Sequence, residues 1–387
     1  MRKYSVTFVL PGIIFKYPPG GYDIVFRLAN ILNERGISCS IIFLTNSNFY
    51  VPNYVKTNAS TKLHYLAKVF NFIFYGRRFG YIYHHWESIN KLLFRADYDY
   101  SMLKNTDCYL YKKVSDIEFN TNMIIATFWE TAYFVSRYIR SSKNNSKGYY
   151  LIQNDEDDVS FSGENSDNAK ATYKFDLKKI VINKRMYTRF KEDDPIFFHI
   201  GINTSLYKLI NPIYKRDGIL FPLRNGESKG AKYALECIEM LLNSNFKKKI
   251  IAFGDYPPNE IPHNIMINID YYYKPRYIEL LKLYNESMIF VLPSIVEGMP
   301  SPPLEAMSCG CAVLTTENGG VNEYITDGIN GIICPVRDSN CLFEKLMYLV
   351  NDKNKRNELV KNGLDTAKRF SYEYMYKDFI DIVRNYI

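Results

Sequence analysis

The stretch that most constrains this chain runs from Ile289 to Cys311, IFVLPSIVEGMPSPPLEAMSCGC. Ile289 to Leu292 form a short apolar run with β-branched members, the pattern of a strand buried on both faces of a parallel sheet. Gly298 and Pro300 mark a loop from Ser294 to Ser301. A helix is expected from Pro302, with Ser301 as N-cap, proline at the first helical position and Gly310 just past the end. A strand that passes through a loop into a helix start builds an anion site at the carboxyl edge of an open α/β sheet. Free backbone N–H groups and the positive end of the helix dipole converge there. The same stretch carries two carboxylates eight positions apart. Glu297 precedes the helix and Glu305 is expected in its first turn, so both are placed to face one ligand.

The rest of the chain supplies a frame for such a site. At 387 residues it is long enough for about two domains, each with its own core. A hydrophobic content of 47% marks a globular protein rather than a disordered one. No apolar run approaches the ~20 residues of a membrane span. The opening MRKYSVTFVLPG is basic and then apolar, but Tyr4 to Leu10 is too short for a signal-peptide core and is expected as a first strand. The seven cysteines are scattered and odd in number, which points to reduced thiols in a cytoplasm. Cys309 and Cys311 form a lone C-x-C without a second pair, so no zinc site is expected. The net charge of +8 favours anionic partners: a nucleotide diphosphate, a phospholipid surface or a lipid-linked phosphate. The basic residues are dispersed and no nucleic-acid motif is present, so a nucleic acid is not an expected partner.

Periodicity predicts two successive α/β arrays. In the first, strands are expected near 4–11, 38–44, 107–114, 123–127, 149–153, 178–183 and 196–200, with a helix over 22–35. The second begins with strands over 218–222 and 249–254 around a helix over 231–242. Further strands are expected at 265–270, 289–292 and 312–316, with helices at 278–285 and 342–362 and a last one from Phe370 to Tyr386. Between the first two elements, Gly20 and Gly21 form either a plain tight turn or a place where backbone comes close to a ligand. After strand 218–222 comes Arg224-Asn225-Gly226-Glu227-Ser228-Lys229-Gly230. Arg224 and Lys229 bracket a loop before a helix, a spacing that grips a diphosphate from two sides with a planar fork and a mobile point charge.

Glu297 and Glu305 within E-G-x-P-x-x-x-x-E-A-M-x-x-G resemble the E-x7-E signature of retaining GT-B glycosyltransferases, most closely family 4. Arg224, Lys229 and Gly230 resemble that family's R-x4-K-G motif. Gly201-Ile202-Asn203 resembles its G-[VI]-[DN] junction, and Glu317 to Glu323 its G-G-x-x-E turn. The resemblance implies a fold: two Rossmann-like doubly wound domains facing across a cleft, with a C-terminal helix crossing back. The expected domains are 1–205 for the acceptor, 206–370 for the nucleotide sugar, and 371–387 as the crossing helix. It also implies roles. Glu297 meets the donor sugar, Glu305 the ribose, and Arg224 with Lys229 the leaving diphosphate. Gly298, Met299, Pro300, Ser301, Pro302 and Leu304 line the diphosphate, while Gly20 and Gly21 approach it from the first domain. Gly254, in a turn lacking the family's second glycine, falls among the donor contacts, and Tyr272 falls near the nucleobase. The implied reaction moves a sugar from a nucleotide-diphosphate donor to an acceptor hydroxyl with retention, without a metal or bound cofactor, because side-chain cations stabilise the leaving group. The acceptor is expected to be a glycan or lipid-linked, and the protein to be cytoplasmic, at the inner face of the membrane.

Some features fit less well. Many family members have a histidine near Trp129-Glu130; this chain has none there, so only an acceptor-side role for Glu130 is carried forward. Asp155 and Glu156, in a segment resembling Y-x-x-Q-D-x-E, are candidate acceptor contacts, although an acidic run is usually a solvated loop. Residues 65–95 interleave aromatics with arginine, histidine and lysine. They read either as a membrane or glycan surface or as a buried helical insert. Asp97-Tyr98-Asp99 is read as solvated charge. Three alternative functions stay open: another GT-B enzyme such as a nucleotide-sugar epimerase or glycan phosphorylase, a non-catalytic glycan-binding partner of a synthase, and a nucleic-acid binder. Detecting a free nucleoside diphosphate together with a glycosylated product separates the transferase from the first; intact Glu297, Arg224 and Lys229 argue against the second, and the third lacks any recognised motif.

Overall fold

The structure, a computed structural model, describes residues 4–13, 20–46, 55–57, 103, 105–117, 119–141, 145–244 and 246–386. Residues 65–95 and Asp97-Tyr98-Asp99 lie outside them, as does the approach to Gly20. The chain divides into two compact units. Unit 1 comprises residues 1–181, 189–197 and 376–387, and unit 2 residues 182–188 and 198–375.

Unit 1 is built on strands β1 (Ser5–Ile13), β2 (Ser38–Asn46), β3 (Val55–Thr57), β4 (Asp107–Leu110), β5 (Met123–Ala126), β6 (Lys147–Ile152), β7 (Lys178–Val181) and β8 (Ile196–Phe197). They form one parallel sheet in the order β3-β4-β2-β1-β5-β6-β7-β8. Helix α1 (Gly20–Glu34) buries Ile24, Val25, Leu28 and Leu32, at helical spacing. Helices α2 (Trp129–Ser141), α3 (Val159–Ser162) and α4 (Ser166–Thr172) follow β5 and β6; α5 (Lys184–Arg189), which follows β7, belongs to unit 2 up to Thr188. The strand order reverses between β1 and β5. In an open α/β sheet, ligands bind beyond the carboxyl ends of the strands on either side of such a reversal. Glu130, in the first turn of α2, stands at that place.

Unit 2 holds β9 (Gly218–Pro222), β10 (Lys249–Gly254), β11 (Asp270–Tyr273), β12 (Ser287–Leu292), β13 (Ala312–Thr316) and β14 (Ile332–Cys334), all parallel. Their order, β11-β10-β9-β12-β13-β14, is the 3-2-1-4-5-6 order of dinucleotide-binding sheets. The helices are α6 (Ala231–Asn243), α7 (His263–Met266), α8 (Tyr277–Glu286), α9 (Ser301–Ser308), α10 (Ser339–Asn351), α11 (Lys353–Arg369) and α12 (Tyr372–Tyr386). Successive strand residues point to opposite faces. Ile219, Phe221, Ile289 and Val291 therefore pack in one core with α6 and α10. Leu220, Phe290 and Leu292 pack in a second with Tyr284, Leu304 and Met307. Covering on both sides explains why β9 and β12 read as unbroken apolar runs. From Tyr376 onward α12 belongs to unit 1, where Phe379 stacks on Phe8 at 5.7 Å between centroids.

Several expectations are corrected. Gly20 and Gly21 do not form a turn before the helix; they are its first two residues. The strand expected at 265–270 is a helical turn, α7, followed by a strand over 270–273. Pro262 precedes that turn, Ile265 enters the core and Ile267 is exposed, which is helical rather than strand alternation. The strand expected over 107–114 stops at Leu110, and a short 3-10 turn covers Val114–Asp116. The helix expected over 342–362 is two helices. Asp352 ends α10 and caps α11 by accepting the Lys355 N–H at 2.8 Å. α9 begins at Ser301, preceded by Pro300 as N-cap, so Ser301 is not the cap and Glu305 is the fifth helical residue, beyond the first turn. Gly310 takes the left-handed conformation expected of it, φ 83°.

Candidate functional site

In unit 2 the order reverses between β9 and β12, which lie side by side. The loop after β9 carries Arg224 and Lys229, and the loop after β12 carries Glu297. The topology therefore brings two motifs distant in sequence to one edge of the sheet. The two loops are bound together by backbone. The N–H groups of Ile295 and Val296 donate to Ser228 O at 2.8 and 3.4 Å. Gly230 is left-handed, φ 69°, and a Cβ there would lie 2.0 Å from Pro293 O. Only glycine permits that approach.

Across this seam Lys229 Nζ donates to Glu297 Oε2 at 2.8 Å, in a pair that is largely buried. Glu297 Oε1 accepts from Ser294 Oγ at 3.0 Å, and the Glu297 N–H donates to Asn318 O at 2.9 Å. Both carboxylate oxygens and the backbone of Glu297 are thus fixed. Arg224 is half-buried and forms no ion pair among the described residues. It stands on the same loop as Lys229.

Glu305, on α9, accepts from Tyr284 Oη at 2.9 Å. Burial, reinforced by the nearby Glu305 charge, holds the Tyr284 hydroxyl well above its usual range, so it stays protonated and donates. Tyr324 behaves alike. Burial and then Glu297 and Glu305 keep its proton on, and it donates to Pro300 O at 2.6 Å. The start of α9 is poorer in donors than expected. Of the four residues from Pro300 to Pro303, three are prolines without an N–H, so Ser301 alone offers a backbone donor there. The helix dipole remains.

Gly298 and Pro300 are buried in this loop, with Met299 packed against the second core and Leu304 inside it. Gly254 is a structural glycine. At φ 148° its Cβ would lie 1.9 Å from Leu223 O, where the backbone leaving β9 crosses it. Tyr272 pairs with Phe253 across β10 and β11 and packs against the second core, whereas Tyr273 is exposed, with Lys274 Nζ 4.6 Å from its ring centroid.

In unit 1, Glu130 is exposed. Asp155 and Asp157 meet Arg189, at 3.4 and 2.9 Å. Glu156, expected as an acceptor contact, is instead buried. It accepts from Tyr150 Oη at 2.6 Å, and burial pushes its carboxyl up to about 8. Gly20 faces open space, and a Cβ on Gly21 would meet the Gln153 side chain.

Sequence reasoning missed Ser294, Asn318, Tyr284, Tyr324 and Asn183. Ser294, three residues before Glu297 in a loop that ends buried, carried the nearest thing to a signal. The others reach the site from separate elements and leave no local pattern. Among the described residues, no group of three or more His, Cys, Asp or Glu is placed to hold a metal ion.

Residues 211–366 match the family model described as glycosyl transferases group 1. An uncharacterized glycosyltransferase of Methanocaldococcus jannaschii is 25% identical over 237 residues, 60% of this chain and 61% of that protein. The N,N'-diacetylbacillosaminyl-diphospho-undecaprenol alpha-1,3-N-acetylgalactosaminyltransferase of Campylobacter jejuni is 28% identical over 209 residues, 53% of this chain and 55% of that one. The chain thus spans about three-fifths or less of the length of these relatives. Two solved structures share the fold along nearly the whole chain. Anabaena HepE in complex with UDP-glucose has a TM-score of 0.68 at 12% identity, covering 98% of this chain and 99% of that one. Sucrose-phosphate synthase from Thermosynechococcus elongatus has 0.67 at 13%, covering 99% of each. The chain has the GT-B fold, and its resemblance to the glycosyl transferases group 1 family lies in residues 211–366.

Proposed function

We propose that the protein is a retaining, metal-independent glycosyltransferase of family 4 that moves a sugar from a nucleotide-diphosphate donor to an acceptor hydroxyl. The observation that carries this reading is the Lys229–Glu297 pair at the reversal point of unit 2, where a cation and a carboxylate meet beside the start of α9. The difficult step is cleavage between the anomeric carbon and the diphosphate. Lys229, Arg224 and the α9 dipole stabilise the charge that develops on the leaving phosphates, and they are in place before the reaction. Glu297 orients the glycosyl hydroxyls, and Glu305 the ribose. Met299, Pro300, Ser301 and Pro302 line the phosphates. The acceptor hydroxyl attacks from the side the diphosphate leaves and passes its proton to the departing phosphate oxygen, which retains configuration.

The acceptor is assigned to unit 1, with Glu130 at its reversal point and Asp155 nearby in sequence from the end of β6. The Campylobacter jejuni relative is named for a diphospho-undecaprenol acceptor. A lipid-linked glycan is the acceptor class we favour, with the chain working in the cytoplasm as a peripheral protein at the membrane face and contributing to surface polysaccharide or glycolipid assembly. Among the described residues no helix is long and apolar enough to cross a membrane. The net charge of +8 suits an anionic surface.

The test is a thermal-shift screen of UDP- and GDP-sugars. Donors that raise the melting point are then incubated with a diphospho-undecaprenol-linked sugar, and the product is read by mass and by anomeric NMR. Release of nucleoside diphosphate with an α-linked product from an α-linked donor is expected. An inverted product, or binding unaffected by loss of both Arg224 and Lys229, overturns the reading.

A further inference from the structure

The residue that follows β7 and opens α5 belongs to unit 2, and it reaches the loop that carries Glu297. Asn183 is fully buried. Its Oδ1 accepts the Met186 N–H at 2.8 Å, which caps the first turn of α5. Its Nδ2 donates to the carbonyl of Gly298, also at 2.8 Å. One residue on, the Lys184 N–H donates to Glu323 Oε1 at 2.6 Å. The Gly298 carbonyl is approached from another side by Gly320, where a Cβ would lie 2.6 Å from that oxygen. A side-chain amide and a glycine that leaves room thus enclose the carbonyl one residue beyond Glu297.

Gly298 is the residue in this loop with the greatest backbone freedom, so an anchor there has the largest effect on where Glu297 stands. Lys229 and Ser294 hold the Glu297 carboxylate itself, and the backbone ties that flank the Gly298 carbonyl act at the Glu297 N–H and at the Pro300 carbonyl. Without Asn183 the peptide between them would be free to turn. A buried amide that spends its acceptor on a helix cap still had its donor to place. Placing it on this carbonyl holds the loop before any ligand arrives.

We propose that Asn183 is a positioning residue for Glu297. It fixes the Gly298 peptide so that the carboxylate is pre-set for the transferred sugar, a role that rests on the glycosyltransferase reading above. Misplacement of a reacting group by about 1 Å costs ~100-fold in rate, and pre-set geometry removes that loss.

Two variants separate this role from helix capping. Asn183→Ser keeps a short acceptor for Met186 but cannot reach Gly298. Asn183→Ala loses both bonds. Amide hydrogen exchange of the ligand-free protein, read on peptides within 294–299, is expected to quicken by about tenfold in both variants. Exchange at Met186 is expected to quicken only in the alanine variant. With a donor found by the thermal-shift screen, kcat is expected to fall ~10–100-fold in both variants, with the donor KM changed less than about threefold. Unchanged exchange at 294–299 overturns the proposal whatever reaction the protein catalyses. Faster exchange with wild-type kcat also overturns it. Should the wild type turn over no nucleotide sugar, the glycosyltransferase reading fails, and the proposed role in catalysis fails with it, while the exchange result separately reports whether Asn183 anchors the loop.

Discussion

Lys229 Nζ lies 2.8 Å from Glu297 Oε2 although the two residues are 68 positions apart. The contact follows from the topology of unit 2. β9 and β12 are neighbours at the point where the strand order reverses, so the loops at their carboxyl ends must meet. Ser228 O and the Ile295 and Val296 amides then set the register of that meeting, and the ion pair follows. A largely buried pair makes each partner dependent on the other, because removing one leaves an uncompensated charge.

A double-mutant cycle on Lys229→Ala and Glu297→Ala should therefore be non-additive. Each single variant is expected to lose stability, and the double variant less than their sum, with a coupling of about 0.5–3 kcal/mol. Urea unfolding of the four proteins without ligand measures it. Additive losses would mean the pair does not form in solution. Each single variant is also expected to reduce transfer by at least ~100-fold with the fold intact.

Glu156 predicts a pH dependence of stability. Its carboxyl is pushed up to about 8 by burial, against an ordinary value near 4.5, with Tyr150 and the Trp129 backbone only partly offsetting this. Between those values the folded chain keeps the proton and the unfolded chain does not. The folded state binds more protons, so stability falls as pH rises from about 4.5 to 8 and levels off above. Glu156→Gln keeps the hydrogen-bonding shape without the ionisation. It is expected to unfold at similar urea to wild type at pH 5 and to be the more stable protein at pH 8.5, by up to a few kcal/mol. Parallel pH profiles for the two proteins would refute the assignment.

Arg216 predicts a stability defect away from the site. It is buried, and its guanidinium donates to the carbonyls of Asn211, Tyr284, Ser287 and Cys309, the last just beyond α9 at 2.7 Å. Burial holds it below its ordinary range, and as an arginine it keeps its charge. Arg216→Ala removes the buried donor those carbonyls share, while Tyr284 O and Ser287 O keep Cys311 Sγ, and is expected to cost about 3 kcal/mol in urea unfolding. Arg216→Lys should recover only part of the loss, since one ammonium cannot span the fork.

What was legible beforehand had a local cause. The buried strands β9, β10, β12 and β13 showed as apolar runs. The Arg224–Lys229 loop and the Glu297–Glu305 stretch carried their spacing within a few residues of a strand end. β11 was misplaced because it lies at the edge of its sheet. Its tyrosines are half-exposed, while the β-branched residues just before it, Ile265 to Ile269, imitated a strand. The break at Asp352 was invisible because neither glycine nor proline marks it; a carboxylate that caps a helix replaces them. Asn183, Tyr284 and Tyr324 could not be found because their parts in the site are set by tertiary contact, with partners 115, 21 and 24 residues away.

The glycines offer a last prediction, because the structure separates those the fold requires from those it does not. Gly230 and Gly254 sit at φ 69° and 148°, and a Cβ on either would fall within 2.0 Å of a backbone carbonyl oxygen. Backbone cannot retreat as a flexible side chain can, so Gly230→Ala and Gly254→Ala must displace a loop. Each is expected to cost at least ~2 kcal/mol in stability. Gly230→Ala pushes against Pro293 O, so it should also part the two loops and lower turnover as the Lys229 variant does. Gly20 is different. Nothing lies within 4 Å of a Cβ built there, and it opens α1, where alanine is the better helix former. Gly20→Ala is expected to keep or slightly raise the melting temperature. If Gly20 approaches donor phosphates, as its resemblance to the family's glycine loop implies, this stable variant will bind the donor more weakly. If donor affinity is unchanged, the glycine serves only chain entry into α1.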